Sequence, residues 1–158
     1  MPDRNAEGRA APSGRPVIEE IAARLEREGR LGQTRQFIQH GQWSVYDHCL
    51  NVADMSLRLA GKLHARVDEE AMVRGALLHD YFLYDWHVPD PHRRKHAFFH
   101  PSAAWRNASR DYLLGPVEED IIRHHMFPVV PVPPRTAEGW IVCIADTICA
   151  VKETLGTR

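Results

Sequence analysis

Two metal-capable side chains stand next to each other at the end of an apolar run, Gly75-Ala76-Leu77-Leu78-His79-Asp80-Tyr81. The apolar lead-in predicts that the pair is buried. An Asp removed from water is costly unless it is paired, hydrogen-bonded or bound to a cation, and histidine is its commonest companion in metal coordination. Neighbouring helical residues point roughly 100° apart, so one cation lying between those directions can be reached by both. A second carboxylate, Asp146, stands inside Trp140-Val151, a stretch apolar almost all round that predicts a buried helix. It has no Lys or Arg three or four residues away. Three outcomes are open for it: it is neutral, it accepts buried hydrogen bonds, or it holds a metal. His48 shares a core-facing stripe with Val52, Met55, Leu59 and Leu63, and two readings are open, a backbone-bonded core residue or a ligand.

The elements that would position these residues are helical. Met1 to Pro16, rich in Gly, Pro, Ala and Arg, is expected to be a disordered leader, and residues 17–158 a single domain. Val17, Ile21 and Leu25 predict an amphipathic helix up to about Glu28. Ser44 is the expected N-cap of a helix from Val45 to His64, and Asp68 that of a helix reaching His79-Asp80, in which Gly75 permits close approach of a neighbour. His100 is expected at an N-cap, with Pro101 at the first helical position. A further helix runs from Val117 to His125 before a proline-rich connector, Val129 to Arg135.

The formal charge of −1 argues against a general nucleic-acid or membrane binder. Cys49, Cys143 and Cys149 lack metal-ribbon spacing and are expected as buried packing residues in a reducing cytoplasm. The segment from Tyr81 to Phe99 reads as a loop whose cluster His92-Arg93-Arg94-Lys95-His96 is either a solvated patch or a means of attracting an anionic substrate. Asp47 and Asp85 read as surface carboxylates, with a supporting role at the site as the alternative.

His48 in its setting Val45-Tyr46-Asp47-His48, the pair in Ala76-Leu77-Leu78-His79-Asp80, and Asp146 near the end of the chain follow an order that resembles the HD-domain superfamily of metal-dependent phosphohydrolases. His100-Pro101 and the doublet His124-His125 further resemble its branch with two metals, which includes cyclic-dinucleotide phosphodiesterases. Tyr81 stands where that branch often has Gly-Lys, and Met126 where it commonly has Glu, which argues against cyclic dinucleotides. The runs Leu77-Leu78-His79-Asp80-Tyr81-Phe82-Leu83-Tyr84-Asp85-Trp86-His87 and His124-His125-Met126-Phe127-Pro128 resemble a family of small bacterial HD proteins more closely.

The resemblance implies an all-α HD helical bundle. It implies a first ion held by His48, His79, Asp80 and Asp146, and a second held by Asp80, His100, His124 and His125. Fe, Mn, Co, Ni or Zn suit such mixed imidazole and carboxylate ligands better than Mg. His79 and Asp80 would be central to catalysis, and the activity implied is hydrolysis of a phosphate ester, such as a nucleotide or related mono- or diester, by metal-activated water. Arg93, Arg94, Lys95 and His96 are candidate substrate contacts. The partner expected is a small phosphorylated molecule, without membrane or nucleic acid, in the cytoplasm, and a homo-oligomer is left open. A di-iron oxygenase is the alternative activity, and a non-catalytic metal- or nucleotide-sensing module the third.

Overall fold

A computed structural model of the chain describes residues 14–91 and 95–156. Of the expected leader, residues 1–13 lie outside the described residues, whereas Arg15 and Pro16 already belong to the first helix. The elements are α1 (Arg15–Glu28), a 3-10 turn (Leu31–Gln36), β1 (Ile38–His40), β2 (Trp43–Ser44), α2 (Val45–Lys62), α3 (Glu69–Leu78), α4 (His96–Asp111), α5 (Pro116–His124) and α6 (Ala137–Thr154). The bundle is all-α apart from the small β1-β2 ribbon. Helix α2 packs on α3 and α6, α3 on α5 and α1, and α5 on α4 and α6.

Local chemistry explains where the helices begin. Ser44 accepts from the backbone N–H of Asp47 at 3.1 Å, Asp68 from Ala71 at 3.0 Å and Thr136 from Gly139 at 3.0 Å. Each satisfies a donor that the first helical turn would otherwise leave unpaired. Pro116 opens α5, where its missing N–H costs nothing.

Four features depart from the sequence expectations. The segment before α2 is a hairpin, pairing Ile38 with Ser44 and His40 with Trp43 around Gly41 at φ +57°. Helix α3 ends at Leu78, so Asp80 stands on the turn beyond it. Helix α4 begins at His96, with Lys95 as N-cap, and His100 lies inside the helix rather than at its cap. Pro101 is therefore an interior proline that forfeits one helical hydrogen bond. Finally, α6 is not buried all round: Trp140, Ile144 and Val151 are 41–53% exposed. The helix packs one face on α2 and α5, and apolar composition does not say that the opposite face must find a partner.

Two contacts hold the turn carrying His79 and Asp80. At Gly75, an added Cβ would stand 2.5 Å from Ile121 Cδ1 and 3.1 Å from its Cβ, so α3 and α5 meet where only glycine fits. Below the turn, the buried Tyr81 donates its hydroxyl to Asp111 at 2.8 Å and accepts from the Arg30 N–H at 2.7 Å. Asp111 also accepts from Arg30 Nε at 2.7 Å and Nη2 at 3.1 Å. The turn is thereby tied to the head of the 3-10 turn and to α4.

Gly75→Ala is expected to destabilise by about 1–2 kcal/mol, because overpacking against the buried Ile121, whose Cβ as well as Cδ1 is close, exceeds the gain in helix propensity. A lower urea midpoint would show it. Burial raises the Asp111 carboxyl, but the hydrogen bonds from Arg30 and Tyr81 outweigh burial and hold it below its ordinary value. A group with a depressed folded pKa stabilises above its unfolded value, about 3.9, and loses that contribution as pH falls through the folded value. Asp111→Asn should cost about 1–2 kcal/mol at pH 7, screening at the partly exposed Arg30 included, and the difference from the parent should shrink below about pH 4. Thermal melts of both proteins from pH 3 to pH 7 measure this.

Candidate metal centre

The bundle brings five elements to one buried point. His48 comes from the first turns of α2, Asp146 from the middle of α6, His79 and Asp80 from the turn after α3, His100 from α4 and His125 from the residue closing α5. His48, His79, Asp80, His100 and His125 are each 0–5% exposed.

Asp80 is the shared member. Its Oδ2 lies 3.3 Å from His79 Nε2 and 3.7 Å from His48 Nε2. Its Oδ1 lies 3.2 Å from His100 Nε2 and 3.5 Å from His125 Nε2. Asp146 Oδ1 faces the first pair, 3.0 Å from His48 Nε2 and 3.7 Å from His79 Nε2. One carboxylate thus presents a different oxygen to each of two imidazole pairs.

The other ring nitrogens fix which atoms point inward. His79 Nδ1 is 2.7 Å from the Ala76 carbonyl, His125 Nδ1 is 2.9 Å from that of Ile122, and His100 Nδ1 is 3.2 Å from that of His96. His48 Nδ1 is 2.8 Å from Glu153 Oε2. Carbonyls and carboxylates only accept, so each Nδ1 carries the hydrogen and each neutral ring turns a bare Nε2 lone pair to the centre. His100 Nε2 and His125 Nε2 are 2.8 Å apart, an approach that requires a proton or a cation between two such lone pairs.

Burial opposes charge throughout. It raises the Asp80 carboxyl, but the neighbouring His79 and the rings of His100 and His125 outweigh it and hold Asp80 well below the ordinary range. Asp146 is likewise depressed against burial by His48 and His79. Burial lowers His48 too, yet Asp146 and Glu153 more than reverse this and bring it to about 10. At His125 burial prevails and the ring is pushed down, reinforced by His79 and His100. The carboxylates are therefore ionised and demand positive charge, while His125 favours the neutral, donor-ready form.

These residues fit a metal on direct grounds. His79 Nε2 and Asp80 Oδ1 are buried without a hydrogen bond, and leaving such atoms unmatched is costly. Donor atoms of His48, His79 and Asp146 lie within 4.8 Å of one another, as do those of His79, Asp80 and His125. Imidazole and carboxylate together suit a divalent transition ion.

Of the residues expected at the site, His48, His79, Asp80, His100, His125 and Asp146 come together. His124 does not. Its Nδ1 lies 2.8 Å from Asp120 Oδ1, one turn back on α5, and Asp120 also accepts from the Arg135 and Thr136 backbones. The His124 ring is held against α5 by Asp120, while His125, one residue on, turns to Asp80. His96 is stacked between Trp86 and His100, at ring separations of 5.0 and 4.6 Å, and so buttresses a site residue. Lys95 is exposed at the head of α4. Arg93 and Arg94 lie outside the described residues.

Two members of the cluster were not anticipated from the sequence. Gln39 of β1 donates Nε2–H to Asp80 Oδ2 at 2.6 Å, and Glu153 of α6 meets His48. Glu153 carried a signal, since it lies seven residues, nearly two turns, after Asp146 and shares its helix face. Gln39 had none, because the hairpin that delivers it was not expected.

Comparison with known proteins agrees with this geometry. The family model described as "HD domain" matches residues 45–151, and the chain belongs to that family, within a superfamily of metal-dependent phosphohydrolases that bind divalent metals. No curated protein and no solved structure matches the chain. Among the described residues, no helix is long and apolar enough to cross a membrane.

Excess Mn(II) added to metal-stripped protein should raise its melting temperature, because a ligand at about 100 times its Kd stabilises by about 2.7 kcal/mol. Asp80→Asn should lose most of that rise and His124→Ala should keep it. Differential scanning calorimetry with and without the ion distinguishes these outcomes.

Proposed function

We propose that the chain hydrolyses a phosphate ester in a small phosphorylated substrate, such as a nucleotide or a related mono- or diester, with two divalent transition ions. The observation that carries this reading is the division of the Asp80 carboxylate between two imidazole pairs. His48, His79, Asp146 and Asp80 Oδ2 would hold one ion, and His100, His125 and Asp80 Oδ1 the other. When bound, such ions supply charge that neutralises phosphate oxygens and acidity that makes water a nucleophile near neutral pH.

The chain's own residues prepare the place. Gln39 fixes the plane of Asp80 by donating to Oδ2, and the Nδ1 partners keep four imidazoles from turning. Phe82 and His96 pack on His100, and Trp86 stacks on His96 behind it, covering the α4 side. Lys95, exposed five residues before His100, offers an ammonium to an anionic substrate. Tyr81 and Met126, in place of the residues common in the two-metal phosphodiesterase branch, favour substrates other than cyclic dinucleotides.

The test reloads metal-stripped protein with Mn, Fe, Co or Ni in turn and offers phosphomonoesters, phosphodiesters and nucleotides without oxygen. Release of phosphate or nucleoside is expected. His79→Ala and Asp80→Asn should lower kcat/KM by more than the roughly 10–100-fold that loss of an outer supporting residue causes. With oxygen then admitted, substrate-dependent oxygen uptake without phosphate release would replace this reading with an oxygenase. Nucleotide binding without turnover would replace it with a sensor.

A further inference from the structure

Glu153 occupies a place that helix energetics disfavours. It lies in the last turn of α6, where the helix dipole repels a carboxylate, and it is only 5% exposed. Its carboxylate forms an ion pair with His48. Oε2 lies 2.8 Å from His48 Nδ1, and Oε1 accepts from Asn51 Nδ2 at 3.1 Å. Asn51 belongs to α2, three residues after His48, so one face of α2 holds both oxygens of the carboxylate. On the same ring, Asp146 addresses Nε2 at 3.0 Å. One face of α6 thus grips both nitrogens of a single imidazole through two acids seven residues apart.

We propose that Glu153 is a positioning residue for the metal centre: anchored by Asn51, its carboxylate fixes the His48 ring and strengthens Nε2 as an electron donor towards the ion. The inference rests on the metal-dependent reading above. It follows from the contrast among the four rings. His79, His100 and His125 donate Nδ1–H to neutral carbonyls, and only His48 donates to a full negative charge. A carboxylate there pulls the Nδ1 proton and leaves more electron density on Nε2 than a carbonyl can.

A competing use of the same atoms is an additional ion. Donors of His40, His48 and Glu153 also lie within 4.8 Å of one another. His48 Nδ1 could join that ion only by losing the hydrogen it shares with Glu153. With Nε2 already engaged, the ring would have to shed both protons. The orienting role needs neither.

Cobalt(II) titration of the metal-stripped 158-residue chain tests the proposal, with affinity read by competition against a chromogenic chelator and ligand field by the visible spectrum. Glu153→Gln should bind the same number of ions as the parent, one of them about 10–100-fold more weakly and with a shifted visible band. Glu138→Gln is the control. Glu138 is a buried acid on the same helix whose contact is with the Asp68 backbone at 2.8 Å, and its replacement should leave affinity and spectrum unchanged. If Glu153→Gln does not fold, Asn51→Ala keeps the charge but loosens it, and should weaken one ion several-fold with the same direction of spectral change.

Parental affinity and spectrum in Glu153→Gln, or in Asn51→Ala where that variant is used, would overturn the proposal. So would three ions in the parent against two in Glu153→Gln. A parent chain that binds no cobalt would remove the metal-dependent reading together with this one, whereas a normal parent beside an unchanged variant removes this one alone.

Discussion

The Asp80 carboxylate, 2% exposed and facing four imidazole nitrogens, is the constraint on which the rest of the structure depends. An ionised acid in such surroundings needs opposing charge close to both oxygens. Rings free to rotate could present N–H groups and answer the need as ordinary hydrogen-bond donors. Here a neutral ring cannot, because its one hydrogen, on Nδ1, is committed elsewhere. The backbone carbonyls of Ala76, His96 and Ile122 do this three times by the same device, a histidine bonded back to the preceding helical turn. A neutral ring so held has only a lone pair left to offer, and convergent lone pairs around two carboxylates make a place for cations.

The bundle has to deliver those rings from separate helices, and its packing details serve that end. Gly75 lets α3 approach α5 at Ile121, four residues before His125, so the glycine that sets the helix separation also sets the distance between His79 and His125. Their rings meet edge to face at 4.8 Å. Tyr81, immediately after Asp80, reaches away from the centre to Asp111 and Arg30 and prevents the turn from swinging outward. On the other side, Asn107 of α4 donates to the Tyr81 and Phe82 carbonyls at 3.1 and 3.0 Å, joining the helix that carries His100 to the turn that carries Asp80. Buried, close-packed surroundings of this kind transmit position with little slack.

What could be read from the sequence followed from contradictions in the apolar pattern. His48, His79-Asp80 and Asp146 were visible because each places a polar group where periodicity demands burial, and burial of a polar group calls for a partner. His125 shares an apolar face with Val117, Ile121 and Ile122, whereas the roles of His100 and His124 are legible only through family resemblance. The choice within the doublet depends on where α5 ends and which way its last turn faces, and element ends are the least determined part of a sequence reading. Gln39 depends on a two-stranded ribbon only a few residues long, too short for alternation to announce it. The exposed face of α6 shows the converse limit: Trp140, Ile144 and Val151 are as apolar as their buried neighbours, and no local signal separates the two faces.

The acids are not shared evenly between the two halves of the centre. On the α6 side, Asp146 and Glu153 join Asp80 around His48 and His79. On the α4 and α5 side, Asp80 Oδ1 is, among the described residues, the one carboxylate oxygen paired with His100 and His125. Charge attraction acts over several ångströms in a buried site, whereas lone-pair donation requires contact. The α6 half would therefore hold a cation by charge as well as by ligation, and the other half chiefly by ligation from neutral rings. The depressed His125 fits that division, because a ring kept neutral by burial loses nothing when a cation arrives, whereas a ring charged by its acids must first give up a proton. Asp80 stands at the boundary, and its geometry makes the two halves a single electrostatic unit in which the charge on one oxygen cannot change without the other registering it.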